Sequence, residues 1–555
     1  MKRHIGPILL VLVLSFWVIR PLLTAGFFPM HDDTQVGRVI AMGRALRNGQ
    51  FPVRWVSDLG YGYGYPIFNF YGPLPYYVGG SFYALGLSGL TATKIMFIMG
   101  LMLAGFAMYA FVASVAGRVA GMTAAILYSY APYHAVEAYV RGAVGEQWVL
   151  MFIPLIAWGF TLTFDKGKRT RGVLIGGFSF AGAILSHTLL GYVTALGVFG
   201  TLFTYWIAAV RRRQSDASLL AAHVRTVVIG LGVSAFFWLP AIAEMGYTSV
   251  RGQIGPTAYF RDHFVCIGQL WSSPWGYGGS APGCADGLSF KLGKIQALLA
   301  AIGMLAFLSA RRKTDPRLRS AMIGGLAVTV IALFLMVSPS FSVWEIVPYL
   351  RYLQYPWRFL SFAAFGLALL SSGVFLKLSG KALRVGTAML IVLGTIGVNA
   401  KLFVPQYTDH TSPESYEDIY ELRYRVSKIS DEYLPTSFTR PQRRDEIALS
   451  TIPQLPGMSV ESVTETETYR KYVVESVFAR DLVLNSVDFP GWRYFINGQP
   501  VSASVRNGNP VLSLSEGPVT LEMRFTDTPV RSIGNILSIL TLASVVFVYG
   551  KKTVA

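Results

Sequence analysis

Apolar residues along this chain gather in runs close to 20 long, divided by short basic loops or longer polar stretches, instead of recurring on one helical or strand face. Such runs match the thickness of a bilayer's hydrocarbon core, where a backbone must satisfy its own hydrogen bonds and so winds into helices. The pattern predicts twelve crossings, at about 5–27, 92–115, 120–136, 146–165, 173–188, 190–210, 225–244, 292–309, 319–338, 357–377, 383–403 and 532–549. The first run follows Lys2-Arg3 as a signal peptide would, but it is long, lacks a small-x-small cleavage site and leads to further spans, so it reads as helix. The stretch from Gly172 to Val210 has no polar divider; two helices there keep Arg211-Arg-Arg213 on the side of the other basic loops.

A composition of 53% hydrophobic and 14% charged residues excludes a soluble enzyme, and the charge distribution assigns the sides. Residues 402–529 carry 12 Lys and Arg against 18 Asp and Glu, so the rest of the chain holds an excess of +24 out of a net +18. That excess sits in Lys2-Arg3, Lys166–Arg171, Arg211–Arg213, Arg311–Arg319, Lys377–Arg384 and Lys551-Lys552. Short basic loops mark the cytoplasmic side. The charge therefore reports topology and no nucleic-acid partner, and it predicts a multi-pass protein of the cytoplasmic membrane with both termini inside. The expected organisation is a multi-span unit over 1–403 with outer loops 28–91 and 246–291, an exoplasmic mainly-β domain over 404–530, and a last helix with a short cytoplasmic tail over 531–555.

Within 404–530, Tyr407 to Arg425 is polar and compatible with helix, whereas Tyr472–Phe478, Asp481–Val487 and Val519–Phe525 alternate with period two. Breaks at Pro490-Gly491, Asn497-Gly498, Asn507–Pro510 and Glu516-Gly517 read as tight turns of a small β-sandwich. A lid, a partner surface or a carbohydrate contact suits such a domain. Cys266 and Cys284 fall together in the second outer loop, either as a disulfide or as two free thiols.

Chemistry is best sought on the outer side. The first loop opens Met30-His31-Asp32-Asp33-Thr34-Gln35 and continues through an expected surface helix. Asp32 and Asp33 can ionise, take a proton from an acceptor hydroxyl, hold a divalent cation with a glutamate, or simply cap that helix. Trp55, Tyr63, Tyr65 and Tyr71 offer rings for sugar stacking, although aromatic residues also collect at membrane interfaces. A second constellation, His134, Glu137, Arg141 and Glu146, is costly at a membrane edge unless paired or functional. Glu137 and Arg141 can pair at i, i+4, or Arg141 can hold a phosphate. His187, Glu244, Arg351 and Arg358 reach the same side, and with His31 complete the set of possible donor-phosphate or substrate contacts. No P-loop, nucleotide fingerprint, HExxH or serine elbow occurs. Any transfer therefore requires a donor that arrives already activated.

His31-Asp32, Gly49–Trp55, Gly62–Pro66, Tyr71–Tyr77, Tyr139–Ala143, Ser186-His187, Leu239-Pro240 with Glu244, Gln354–Leu360, and Phe489–Trp492 with Asn497-Gly498 follow one another in an order that spans nearly the whole chain. In that order they resemble the bacterial membrane proteins labelled 6-pyruvoyl-tetrahydropterin synthase-related, relatives of YfhO-type proteins in the GT-C glycosyltransferase superfamily. The resemblance implies a polytopic α-helical GT-C fold, a polyprenyl-phosphate sugar as lipid donor, and a glycan, lipid or protein acceptor. It implies a first-loop acid as base or acceptor-positioning group, a place that Asp32 occupies with Asp33 beside it. Pterin chemistry finds no support, since the seven histidines are scattered at 4, 31, 134, 187, 223, 263 and 410. A lipid or solute transporter, or a non-catalytic assembly and polymer-handling protein, remains as the alternative.

Overall fold

The computed structural model describes residues 2–212, 217–253 and 259–550. Arg213 and the tail with Lys551-Lys552, which entered the topology argument, lie outside the described residues. Every predicted crossing is helical. A bent pair, α1 (Lys2–Leu14) and α2 (Phe16–Leu23), is followed by α3 (Gln35–Arg47), α4 (Leu74–Ala84), α5 (Gly89–Ala116), α6 (Arg118–Ser129), α7 (Pro132–Val136), α8 (Val144–Thr163), α9 (Arg169–Ser186) and α10 (Thr188–Arg212). Then come α11 (Ala217–Val233), α12 (Ala235–Glu244), a short α13 (Ile267–Trp271), α14 (Lys294–Ala310), α15 (Pro316–Met336), α16 (Phe341–Ile346), α17 (Leu360–Ser371) and α18 (Lys381–Asn399). A single turn, α19 (Ser427–Ile429), and α20 (Pro529–Gly550) complete the set.

Among the described residues seven helices are long and apolar enough to cross a membrane, or nine if each of two bent pairs is one span. The count falls short of twelve for local reasons. The 120–136 run stops at Ser129 and restarts at Pro132, α9 begins with Arg169 and Arg171, and α14 is 17 residues long. The undivided stretch does split in two: α9 ends at Ser186, and His187 is extended at φ −154° before α10. The α11–α12 pair bends by 66°. Pro240 cannot donate to the carbonyl of Phe236, and Arg54 Nη2 takes that acceptor at 3.0 Å.

The expected surface helix is α3, and it is buried. Ten of its 13 residues are enclosed, with Gly37 against Val426 and Gly43 against Tyr83. The covering material comes from the chain after 404, which folds over the first loop. Tyr407 to Arg425 supplies part of it as a 3₁₀ turn (Pro413–Glu417) and the start of a π-turn (Glu421–Val426) instead of one helix.

Eight strands follow: β1 (Met458–Glu465), β2 (Tyr469–Ser476), β3 (Arg480–Val483), β4 (Trp492–Ile496), β5 (Gln499–Val501), β6 (Ser504–Arg506), β7 (Asn509–Leu514) and β8 (Gly517–Phe525). They form two antiparallel sheets, β1-β2-β8-β4-β5 and β3-β7-β6. Asn497-Gly498 and Asn507-Gly508 make the two-residue turns of β4–β5 and β6–β7, with positive φ at all four positions. Trp55 of the first loop packs fully buried against Trp492, Phe525 and Phe489, and the backbone N–H of Ser57 donates to Glu467 at 2.5 Å.

One polar network locks this assembly to the helices. Arg531, in the first turn of α20, is fully buried and pairs with Glu244 at 2.9 Å. Glu244 also accepts from Asn69 (2.7 Å) and Thr528 (2.6 Å), and Asn69 in turn accepts from Arg54 (3.0 Å). Arg531 reaches the Pro490 carbonyl at 3.0 Å, and at Gly491 (φ +114°) a Cβ would stand 2.7 Å from its Nη1. Removing one partner of a buried pair strands the other's charge, so Glu244→Ala is expected to cost about 3–5 kcal/mol. Thermal unfolding of the purified protein, followed by tryptophan fluorescence, would show a clearly lowered midpoint; an unmoved midpoint contradicts this account.

Candidate functional site

The site begins where α7 gives way to a π-turn, Glu137–Arg141, ended by Gly142 at φ +66° before α8 starts. A π-turn adds one residue per turn and re-aims the side chains that follow it. Here it brings Glu137 to 2.5 Å of Arg141 Nη1, while Arg141 Nη2 donates to Glu146 at 2.8 Å. Glu146 lies 3.3 Å from Arg358 Nε and 3.9 Å from His187 Nε2. Trp357 lies 4.7 Å beneath the Arg141 guanidinium and Tyr355 5.3 Å from that of Arg358. Two carboxylates thus face two guanidiniums in a setting nearly closed to water. Buried Arg358 Nη1 makes no hydrogen bond among the described residues.

The first loop is fastened onto this turn through its backbone. His31 N–H donates to the Val140 carbonyl at 3.1 Å and Asp32 N–H to the Arg141 carbonyl at 2.8 Å. Gln35 ties the same strip by donating to Gly142 at 2.8 Å. The His31 ring meets the Tyr277 carbonyl of the second loop at 2.9 Å. That loop is closed by a Cys266–Cys284 disulfide.

The two aspartates then diverge. Asp33 pairs with Arg425 at 2.8 Å, and Arg425 also holds Glu421. Burial raises the Asp33 pKa from its ordinary value, with Arg425 opposing the rise. The half-buried Asp32 carboxylate forms no hydrogen bond or ion pair among the described residues, and its charge acts on nearby Tyr71 and Tyr76. Neither aspartate caps α3: Thr34 occupies that position, without a side-chain cap bond. Beneath them Arg38 donates to Ser430 (2.7 Å) and Tyr76 (3.3 Å) and stacks on Tyr71 at 4.4 Å. The Tyr71 ring lies 6.1 Å from that of His187, which links the first loop back to Glu146.

The fold therefore gathers His31, Asp32, Tyr71, Glu137, Arg141, Glu146, His187 and Arg358 in one neighbourhood. Other expected positions lie elsewhere. Glu244 is occupied by its structural partners, and Arg351 is exposed beside Tyr352. Trp55 and Tyr65, expected to stack on sugars, are 0% and 1% exposed, because the β domain and the segment before it close over them. Tyr63 packs against Phe438. Among the described residues no three His, Cys, Asp or Glu side chains gather as a metal-binding group. Sequence reasoning missed Arg38, Arg54 and Arg531. Their only advance signal is a cation inside or next to an apolar stretch.

The profile of a family described as a 6-pyruvoyl-tetrahydropterin synthase related domain, membrane protein, matches residues 68–404. The chain belongs to this family. An uncharacterized protein of Lactococcus lactis subsp. cremoris is 23% identical over 247 residues, which cover 43% of this chain and 39% of that one. Among solved structures, the arabinofuranosyltransferase AftD from Mycobacteria aligns with a TM-score of 0.48 and 15% identity, over 75% of this chain and 28% of its own. The archaeal oligosaccharyltransferase AglB from Archaeoglobus fulgidus gives 0.45 and 14%, over 80% of this chain and 61% of its own. This family member spans only part of the length of each of the three.

Two outcomes follow for this site. Gly142 sits at positive φ with the Met30 sulfur 2.0 Å from where a Cβ would be, so Gly142→Ala must displace Met30 and the adjoining His31-Asp32 strip. New protease sensitivity near residue 30, with normal expression, is expected on limited proteolysis of the purified protein. A raised pKa means that folded Asp33 holds its proton more tightly than the unfolded chain does. Its ionisation therefore subtracts stability as pH climbs through that raised value. Asp33→Asn should flatten this part of a stability-versus-pH curve measured by thermal unfolding.

Proposed function

We propose that this protein transfers a sugar from a polyprenyl-phosphate donor to a hydroxyl acceptor on the outer side of the cytoplasmic membrane, with inversion at the anomeric carbon. The acceptor oxygen attacks C1, Asp32 receives its proton, and the C1–O bond to phosphate breaks with the electron pair leaving on the phosphate. The observation that carries this reading is the Asp32 carboxylate itself. It has no partner of its own among the described residues, yet its backbone is pinned at 2.8 Å to the turn that bears Arg141. A carboxylate held in place and not neutralised suits a general base.

Arg358, buried beside Glu146 with an unpartnered Nη1, supports a phosphate-holding role, since guanidinium donors match phosphate oxygens. Arg141 is taken up by two glutamates, so its part is to orient Glu146 and keep the cluster neutral. The outer-side assignment rests on the basic short loops. The self-neutralised cluster of Glu137, Arg141, Glu146 and Arg358 is also what a non-catalytic polymer-handling protein would need for rigidity alone. Consumption of a labelled donor separates the two.

Purified protein incubated with labelled polyprenyl-phosphate sugars and cell-envelope acceptors should consume donor. Loss of a positioned general base is worth about 10²–10⁴-fold. Asp32→Asn is expected to fall by that much, and Asp33→Asn to stay within a few fold. An Asp32→Asn protein that melts normally and keeps full activity would sink the proposal.

A further inference from the structure

Away from Asp32, a pocket of about 370 Å³ opens where three segments meet: Gly246-Tyr247 after α12, Pro435–Ser437, and Asp488–Trp492 leading into β4. Its walls are fixed. Ser249 donates to the Leu434 carbonyl from both its N–H and its hydroxyl, each at 3.0 Å, and Arg440 bridges Ser249 (2.9 Å) to Asp431 (2.8 Å). Asp488 N–H donates to the Gly508 carbonyl at 2.7 Å, and Trp492 stands edge-on to Trp55 at 5.3 Å. Within this frame Tyr247 is 54% exposed, its ring edge-on to Phe489. The Asp488 carboxylate and the exposed Thr436 and Ser437 hydroxyls form no hydrogen bonds among the described residues. No lysine or arginine lines the pocket.

We infer that this pocket binds a neutral sugar residue. A sugar ring has an apolar C–H face and a rim of hydroxyls. The first calls for an exposed aromatic ring, which Tyr247 offers; the second calls for an ionised acceptor able to take two adjacent hydroxyls, which Asp488 offers. A phosphate or a uronate would instead face Asp488 with no lining cation to offset the repulsion. The pocket thus differs in chemistry from the arginine-bearing cluster around Glu146. As an acceptor subsite it rests on the transferase reading above; as a saccharide site it does not.

Saturation-transfer NMR on the full chain in nanodiscs tests it, with methyl glycosides of glucose, galactose, mannose and arabinose, and with glucose 6-phosphate and glucuronic acid alongside. At least one neutral glycoside should bind saturably, and the anionic sugars about tenfold or more weaker. Asp488→Asn and Tyr247→Ala, both at exposed positions, should each weaken binding about tenfold with an unchanged melting midpoint. Asp32→Asn should bind as the parent does, whatever its transfer activity. The inference is overturned if no neutral glycoside binds, if both pocket variants bind undiminished, or if Asp32→Asn abolishes binding.

Discussion

A charge taken out of water must find its counter-charge within the fold, and this molecule is organised around two places where that happens. At one, Glu244 and Arg531, 287 residues apart, meet with Asn69 and Arg54, so the first loop, α12 and the start of α20 share one set of hydrogen bonds. At the other, Glu146 faces Arg141 and Arg358, which joins the π-turn to the start of α8 and to the segment entering α17. Neither set can be opened without leaving an ion unpaired. The polar chain between them, with His31, Asp32 and Tyr71, is therefore held from two sides.

What could be read in advance divides along the range of the interactions. Runs of apolar residues are a local property, and each predicted crossing is helical. The same holds for Asn497-Gly498 and Asn507-Gly508, where positive φ is a demand the turn places on its own residues. The fate of Trp55 is different. Nothing near it in sequence says that Trp492 and Phe525 will cover it, and an aromatic residue in a polar loop suggests an exposed platform equally well. The burial of α3 was hidden for the same reason, because Leu422 and Val426 pack on Gly37 from nearly 400 residues away.

The neighbourhood around Asp32 was legible in its membership and not in its roles. Charges at a membrane edge flagged Glu137, Arg141, Glu146, His187, Arg358 and the aspartates together. Which carboxylate is neutralised and which is left alone depends on Arg425, Arg531 and the π-turn, all of them tertiary facts. Glu244 illustrates the limit: its burial and its charge are those of a functional acid, and its partners are those of a bolt.

The helices divide sharply by their surroundings. In α5, α8 and the span Pro356–Leu376, between 67% and 83% of the apolar window is enclosed by protein; in α10, α15, α18 and α20 the share is between 17% and 33%. The second group is left uncovered by protein over most of its length, the surface that a bilayer would cover. A bilayer thicker or thinner than these helices prefer is accommodated by tilting or local lipid rearrangement, at a fraction of a kcal/mol per ångström. That adjustment falls on the second group, while the first three, which carry Glu146 and Arg358, are insulated from it. The spacing of Glu146, Arg141 and Arg358 is in this way shielded from the thickness and composition of the membrane around it.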